Sequence, residues 1–132
     1  LLAAAARNDH VAYELINGWS FSAEGQLGGN RLPGVWMLGN AMRLMERARA
    51  GVLSIDLVAC NVYQNGVASA ANVRCPTLVV TGERDIMAPP RNAKALIGAL
   101  ADARSVSLPK TGHSMMTERP DEVLDALRAF LR

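Results

Sequence analysis

Two side chains with the chemistry for proton transfer, Asp85 and His113, each follow a strand-like run of the sequence. An imidazole can take up a proton near neutral pH, and a carboxylate bonded to its other ring nitrogen fixes the tautomer and stabilises the charged form. Residues 77–81 and 104–108 predict two short strands, and each candidate residue lies just beyond one of them. If these strands pair in parallel, both side chains lie at the end of the sheet where open α/β sheets place their chemistry.

The elements that would position this pair form a β-α-β-α unit. A helix is predicted over residues 90–100, and a second one begins at Pro120, since proline followed by acidic residues is typical of a helix start. Residues 77–81 are apolar without clean alternation, which predicts a strand covered on both faces. Residues 104–108 alternate polar and apolar side chains, which predicts an edge strand with one wet face. The last helix is expected to bury a stripe of leucines, namely Leu124, Leu127 and Leu131.

A longer pattern of residues surrounds Asp85 and His113. It consists of the Gly-Glu-Arg-Asp turn at 82–85, Pro89, the Gly-His pair at 112–113 and the Glu-Arg-Pro-Asp-Glu-Val segment at 118–123. This pattern resembles the C-terminal end of the α/β-hydrolases, whose catalytic triad follows the chain order Ser, Asp or Glu, His. The resemblance implies that Asp85 is the triad acid and His113 the general base. Glu83, in the same turn, is the alternative acid.

The resemblance also implies the fold class, an α/β C-terminal fragment of an α/β-hydrolase fold in which a helical cap segment precedes a β-α-β-α unit with two parallel strands. The predicted domains are residues 1–72, the cap or lid, and residues 73–132, the C-terminal part of the core. Within the cap, a helix capped by Asp9 is expected to bury Val11, Leu15 and Ala12, and residues 18–34 are predicted to form a glycine-rich loop. A further helix over residues 34–50 has one apolar face, made of Val35, Leu38, Met42 and Met45.

The nucleophile and the oxyanion hole of this family belong to its first half, which the sequence does not match. Ser20 lies in a segment that superficially approaches the Gly-x-Ser-x-Gly elbow, but the second glycine is missing and the segment follows a helix instead of a strand. The sequence also starts in the middle of an apolar run without a methionine. We therefore expect a fragment or trimmed piece that requires the missing N-terminal half of the same protein and is inactive by itself.

The expected parent is a serine-type hydrolase of carboxylic esters, lactones or similar small acyl substrates. Apolar side chains could line a pocket for an apolar acyl or ring substrate, or pack on the missing half: Trp19, Phe21, Trp36, Met37 and Met115. The same scaffold could instead serve dehalogenation, cofactor-free peroxidation or lyase chemistry, and the nucleophile would discriminate, because aspartate favours dehalogenation and serine favours ester chemistry. A non-catalytic, self-associating fragment is the alternative from another class.

Composition excludes several other functions. The net charge is +2, from 14 basic and 12 acidic residues without a basic cluster, which argues against nucleic acid as a partner. No apolar run approaches the roughly 18 residues of a membrane span. Cys60 and Cys75 fit no zinc spacing and are expected to be reduced core thiols, in a cytoplasmic protein.

No metal or organic cofactor is implied. The strand at 77–81 is expected to have an unpaired edge, which leads us to expect a homodimer.

Overall fold

The computed structural model describes residues 1–29 and 34–132. Helices occupy the described part of residues 1–72, which we call the helical segment. They are α1 (Leu2–Ala6), α2 (His10–Ser20), α3 (Ala23–Gln26), α4 (Met37–Glu46), α5 (Val52–Val62) and α6 (Gly66–Ala70). Two of these helices begin at side chains that accept backbone hydrogen bonds, from Val11 to Asp9 in α2 and from Gly25 to Ser22 in α3. Such caps satisfy amide groups that the first helical turn leaves unpaired.

The remainder of the chain forms the predicted β-α-β-α unit, with an extra short helix. It contains β1 (Thr77–Gly82), α7 (Pro90–Ala99), β2 (Ala103–Leu108), α8 (Met115–Glu118) and α9 (Pro120–Leu131). The strands pair in parallel, from Thr77 opposite Ala103 to Gly82 opposite Leu108. Helices α7 and α9 both have proline in their first turn, where the missing N–H would have no helical partner in any case. This architecture confirms the predicted fold class.

Several predicted boundaries in the helical segment differ from the structure. The glycine-rich loop expected at 18–34 is interrupted, because α2 continues to Ser20 and α3 follows. Residues 30–33 of that predicted loop lie outside the described residues. The helix expected over 34–50 is shorter and spans Met37–Glu46.

Predictions of buried faces were less accurate than those of the elements. In α2, Ala12 is buried as expected, but Val11 and Leu15 are exposed, and Ile16 and Asn17 are buried instead. The leucine stripe of α9 was also predicted wrongly, since Leu124, Leu127 and Leu131 are all exposed. Both cysteines are free, but they are exposed and are therefore not core thiols. The buried apolar side chains are Ala5, Ala12, Ile16, Phe21, Met37, Ala70 and Leu108.

The side chains of β1 are more buried than those of β2, as the sequence suggests, but the difference is smaller than expected. Residues 77–81 of β1 are half-buried, short of the complete cover expected on both faces. In β2, Ser105 and Ser107 are exposed while Leu108 is buried, so one face of this strand is wet as predicted. Helices α7 and α9 both pack on β1. Within residues 1–29 and 34–132, no helix has the length and apolarity needed to cross a bilayer.

Candidate active site

The structure brings Asp85 and His113 together beyond the C-terminal ends of the paired strands. β1 ends at Gly82 and β2 ends opposite it at Leu108, so the turns that follow lie side by side. His113 Nδ1 lies 2.8 Å from Asp85 Oδ2. The Asp85 side chain is 4 % exposed and the His113 side chain 41 % exposed. The carboxylate is thus enclosed, while the imidazole can reach a reactant.

Backbone donors hold the Asp85 carboxylate in its orientation. Asp85 Oδ1 accepts hydrogen bonds from Met87 N at 2.9 Å and Ala88 N at 2.8 Å, both within its own turn. Oδ2 is left to face the imidazole. When Nδ1 carries the proton shared with Oδ2, the opposite ring nitrogen, Nε2, presents its lone pair and can act as a base.

The turn after β1 is joined by its backbone to the histidine loop, which we define as residues 109–114. Arg84 N donates to Thr111 O at 2.8 Å, and Lys110 N donates to Glu83 Oε2 at 3.0 Å. Glu83, the alternative acid, is therefore hydrogen-bonded to the loop backbone, whereas Asp85 is hydrogen-bonded to the imidazole. Gly82 allows this close approach, because a Cβ there would collide with the carbonyl oxygens of Thr111 and Gly112.

Glu118 is a residue of the site that sequence reasoning did not assign. Its Oε1 accepts a hydrogen bond at 2.9 Å from Gly112 N, the amide next to His113. On the other side of the histidine, Ser114 N donates to Ser20 O at 2.7 Å. No local signal in the sequence distinguishes Glu118, because its neighbours Thr117, Arg119 and Asp121 are polar or charged as well.

The five predicted substrate-contacting residues lie in different surroundings. Trp19 lines a cavity of about 420 Å³ whose other walls are Leu1, Ile16, Leu53, Leu57, Ile86 and Met87. Phe21 lines a second cavity, of about 470 Å³, which Ile86 also borders. Trp36 is exposed and covers Gly39 of its own helix, while Met37 is buried near Gly25. Met115 is half-buried at the start of α8.

Ile86 directly follows Asp85, so the two cavities that Trp19 and Phe21 line both adjoin the turn that carries Asp85. In the described part of the chain, no group of three or more His, Cys, Asp or Glu side chains could hold a metal ion. The chemistry that this arrangement offers is proton transfer by His113, oriented by Asp85.

Solved structures show the same fold with low sequence identity. The enol-lactonase from Burkholderia xenovorans LB400 matches with a TM-score of 0.83 and 23 % identity, over 98 % of this chain and 48 % of that one. MGS-M2, an α/β-hydrolase enzyme from a Medee basin deep-sea metagenome library, matches with a TM-score of 0.78 and 24 % identity, over 98 % and 47 %. An esterase from Thermogutta terrifontis matches with a TM-score of 0.78 and 22 % identity, over 97 % and 47 %.

The chain thus spans about half the length of the solved structures it matches. A search of curated proteins gave no match. A family model described as TAP-like protein matches residues 53–132, which include both strands, Asp85, His113 and Glu118. With the fold and more than half of its sequence matched, the chain belongs to the TAP-like family of α/β-hydrolase-fold proteins.

Proposed function

We propose that this chain supplies the acid and the general base of a serine-type hydrolase acting on carboxylic esters, lactones or similar small acyl substrates. The observation that carries the proposal is the 2.8 Å hydrogen bond between Asp85 Oδ2 and His113 Nδ1 beyond two paired parallel strands. Open α/β sheets bind and transform their substrates at this end. The esterase and lactonase names of the structural relatives agree with this reaction class.

In each half of the proposed reaction, His113 first accepts a proton and then donates it. Nε2 takes the proton of a serine hydroxyl as its oxygen attacks the acyl carbon, and Asp85 stabilises the resulting imidazolium through Nδ1–H. The imidazolium then protonates the leaving alcohol as the ester bond breaks, which leaves an acyl-enzyme. In the second half, Nε2 deprotonates water, the water oxygen attacks the acyl group, and the proton returns to the serine.

We assign the nucleophile and the oxyanion donors to a preceding half of the protein that this chain does not include. Among the described residues, no serine hydroxyl or cysteine thiol forms a hydrogen bond to the His113 ring. Ser20 Oγ donates instead to Ile16 O at 2.7 Å, within its own helix, so it is a poor candidate. The solved structures contain about as much chain again as these residues match.

The cavity lined by Trp19 and Met87 is suited to bind a small apolar group of the substrate. All seven residues that line it are apolar, and two of them directly follow Asp85 in sequence. Its volume of about 420 Å³ is within the range of small-molecule pockets. An acyl chain or ring bound there would lie next to the turn that carries the acid.

The proposal is tested first on this chain alone, with short p-nitrophenyl esters. Because a base and its orienting acid act as a unit with the nucleophile, the chain should hydrolyse these esters no faster than its Asp85→Ala and His113→Ala variants. Activity that disappears in His113→Ala would show that a nucleophile lies within residues 1–132. Ser20→Ala would then identify or exclude the first candidate.

The nucleophile itself decides between ester hydrolysis and other reactions of the fold. A Gly-x-Ser-x-Gly segment encoded before Leu1 would support the serine mechanism. Aspartate in place of this serine would instead indicate a dehalogenation reaction. The absence of any such segment in the gene would contradict the proposal.

A further inference from the structure

The Glu118 carboxylate is almost completely buried at the junction between the helical segment and the histidine loop. The residue is only 3 % exposed, although Met116 and Thr117 of the same four-residue helix are exposed. A buried carboxylate is costly unless donors satisfy it. The donors of Glu118 therefore show what this residue holds together.

On one side, Glu118 is bonded to the junction between α2 and α3. Ser22 Oγ donates to Glu118 Oε2 at 2.5 Å, and Ser22 N lies 3.2 Å and 3.3 Å from the two carboxylate oxygens. The same hydroxyl accepts the capping hydrogen bond from Gly25 N at 3.1 Å. Ser22 thus connects the start of α3 directly to the buried carboxylate.

On the other side, Glu118 is bonded to the histidine loop through Gly112 N, at 2.9 Å from Oε1. The neighbouring tether, from Ser114 N to Ser20 O, leads to the same junction of the helical segment. The backbone amides on both sides of His113 are therefore fixed, one through Glu118 and one directly. Among the described residues, the His113 side chain is hydrogen-bonded to Asp85 alone.

The space around the carboxylate is formed by two glycines. A Cβ on Gly25 would lie 2.9 Å from Glu118 Oε2, and a Cβ on Gly112 would lie 2.7 Å from Glu118 Oε1. Real Cβ atoms do not approach so closely, so any side chain at either position would displace the carboxylate. The site is built around a carboxylate at this position.

We propose that Glu118 is a positioning residue that couples the α2–α3 junction to the histidine loop. Its two oxygens bind Ser22 and Gly112 at the same time, so that the His113 ring stays hydrogen-bonded to Asp85 as long as the α2–α3 junction remains bonded to Glu118. Displacement of the junction then releases the histidine loop. The catalytic meaning of this coupling rests on the proposed function, but the coupling is a property of the chain itself.

A carboxylate suits this position because every partner is a donor. Ser22 N, Ser22 Oγ and Gly112 N all point at its two oxygens. An amide has only one acceptor oxygen, and its NH₂ group would face one of these N–H donors. Glu118→Gln therefore retains the shape of the side chain but loses hydrogen bonds in a buried place.

The test uses two-dimensional NMR of the 132-residue chain with ¹⁵N-labelled histidine and backbone amides. The chain has two histidines, so His10, exposed on α2, serves as an internal reference for the imidazole signals. In Glu118→Gln we expect the Gly112 and Ser114 amides to exchange about 10- to 100-fold faster than in the wild type. The Nδ1–H signal of His113 should broaden through faster exchange with water, while the His10 signals stay unchanged.

Two further variants make the result specific. Ser22→Ala removes only the hydroxyl on the junction side and should accelerate exchange at Gly112 and Ser114 in the same direction, by a smaller factor. Asp125→Asn neutralises an exposed carboxylate on α9 and should change neither signal. Faster exchange spread evenly over β1 and β2 would show a general stabilising role only. Unchanged His113 signals in both Glu118→Gln and Ser22→Ala would also overturn the proposal.

This result is separable from the enzyme activity. The NMR response requires no nucleophile and no substrate, so it can appear even if the parent protein hydrolyses no ester. Conversely, a hydrolase with an unaffected His113 signal in Glu118→Gln would retain the proposed function and remove Glu118 from it.

Discussion

At the residue scale, two carboxylates hold the histidine loop in place, Asp85 through the His113 imidazole and Glu118 through the Gly112 amide. A short apolar run, a glycine and an acidic turn place a carboxylate at the end of a parallel strand, and the histidine follows one crossover later. Glu118 could not be found in this way. Its partner Ser22 lies 96 residues away along the chain and is brought to it by packing, and no local periodicity encodes such a contact.

At the residue scale, Gly112 offers a direct test of how closely the histidine loop meets the helical segment. A Cβ there would lie 2.5 Å from Ser22 N and 2.8 Å from the carbonyl carbon of Phe21, and neither backbone atom can move alone. Gly112→Ala should therefore lower the free energy of unfolding by about 1–3 kcal/mol. Urea denaturation measures the change.

The matched control is Gly98, which lies in α7 with no atom within 4 Å of its Cβ position. Gly98→Ala should stabilise the chain by about 0.5–1 kcal/mol, because alanine is the better helix former. Equal effects of the two substitutions would mean that the histidine loop is not in close contact with residues 21–22.

At the element scale, the packing of α2 shows why buried faces are harder to predict than helices. Apolarity favoured Val11 and Leu15, but the face that turns inward contains Ala12, Ile16 and polar Asn17. Asn17 is satisfied there, because its Nδ2 donates to Tyr13 O at 2.8 Å and lies near the sulfur atoms of Met42 and Met45. A hydrophobicity pattern cannot anticipate a buried amide whose partners include side chains of another helix.

A pH-dependent contact also joins α2 to α4. His10 Nε2 lies 3.0 Å from Glu46 Oε1, and His10 Nδ1 lies 3.3 Å from Glu14 Oε1. The pKa of His10 is raised, chiefly by the hydrogen bond to Glu46 and then by that to Glu14. The pKa of Glu46 is lowered, chiefly by the hydrogen bond to His10, with Arg43 as the other charged neighbour.

These shifts define a window of pH in which the contact stabilises the fold. The histidine contribution is complete below its ordinary pKa of 6.5 and is lost as pH rises through the raised value. The glutamate contribution is present above 4.5 and is lost as pH falls through the lowered value. Because both groups are exposed, the effect should be small and should weaken with salt.

Amide-exchange protection of α4, compared at about pH 5.5 and about pH 8, tests this window on either side of the histidine titration. In the wild type, protection should fall at the higher pH, whereas His10→Gln should show the lower protection at both. The same fall in His10→Gln would assign the pH dependence to another group.

At the scale of the whole molecule, large apolar faces are exposed. Ile55, Val58 and Val62 follow one another along one side of α5, and the α9 leucines form a second such stripe. The apolar face of α4 is partly covered, since Met42 and Met45 contact Asn17 of α2. Sequence patterns gave the topology well, but which faces remain open depends on how the helices pack around a two-stranded sheet.

We propose that a second copy of the chain covers part of this surface in solution, as a homodimer. Two parallel strands provide a thin core, and symmetric pairing is a simple way to bury more apolar area. Sedimentation equilibrium at micromolar concentration should give twice the 14.1 kDa chain mass. Ile55→Lys and Leu127→Lys should shift the equilibrium toward monomer if α5 or α9, respectively, lies in the contact.

The outcome that contradicts this proposal is a mass of 14.1 kDa throughout, with a cooperative thermal transition. The chain would then close its own core without a partner. Dimerisation that neither lysine variant weakens would place the contact elsewhere, for example at the open edge of β1.

Steady-state turnover in the proposed longer protein, in which a half with the nucleophile precedes these residues, tests the central claim most directly. The Asp85–His113 pair predicts that His113→Ala lowers kcat by about 10⁴-fold or more, and that Asp85→Asn costs somewhat less. Two controls match these changes in residue type: His10→Ala, in α2, and Asp102→Asn, before β2 at the opposite end of the sheet. Both controls should retain wild-type kcat for a short p-nitrophenyl ester. Unchanged turnover in His113→Ala or Asp85→Asn would contradict the account and remove that residue from the mechanism.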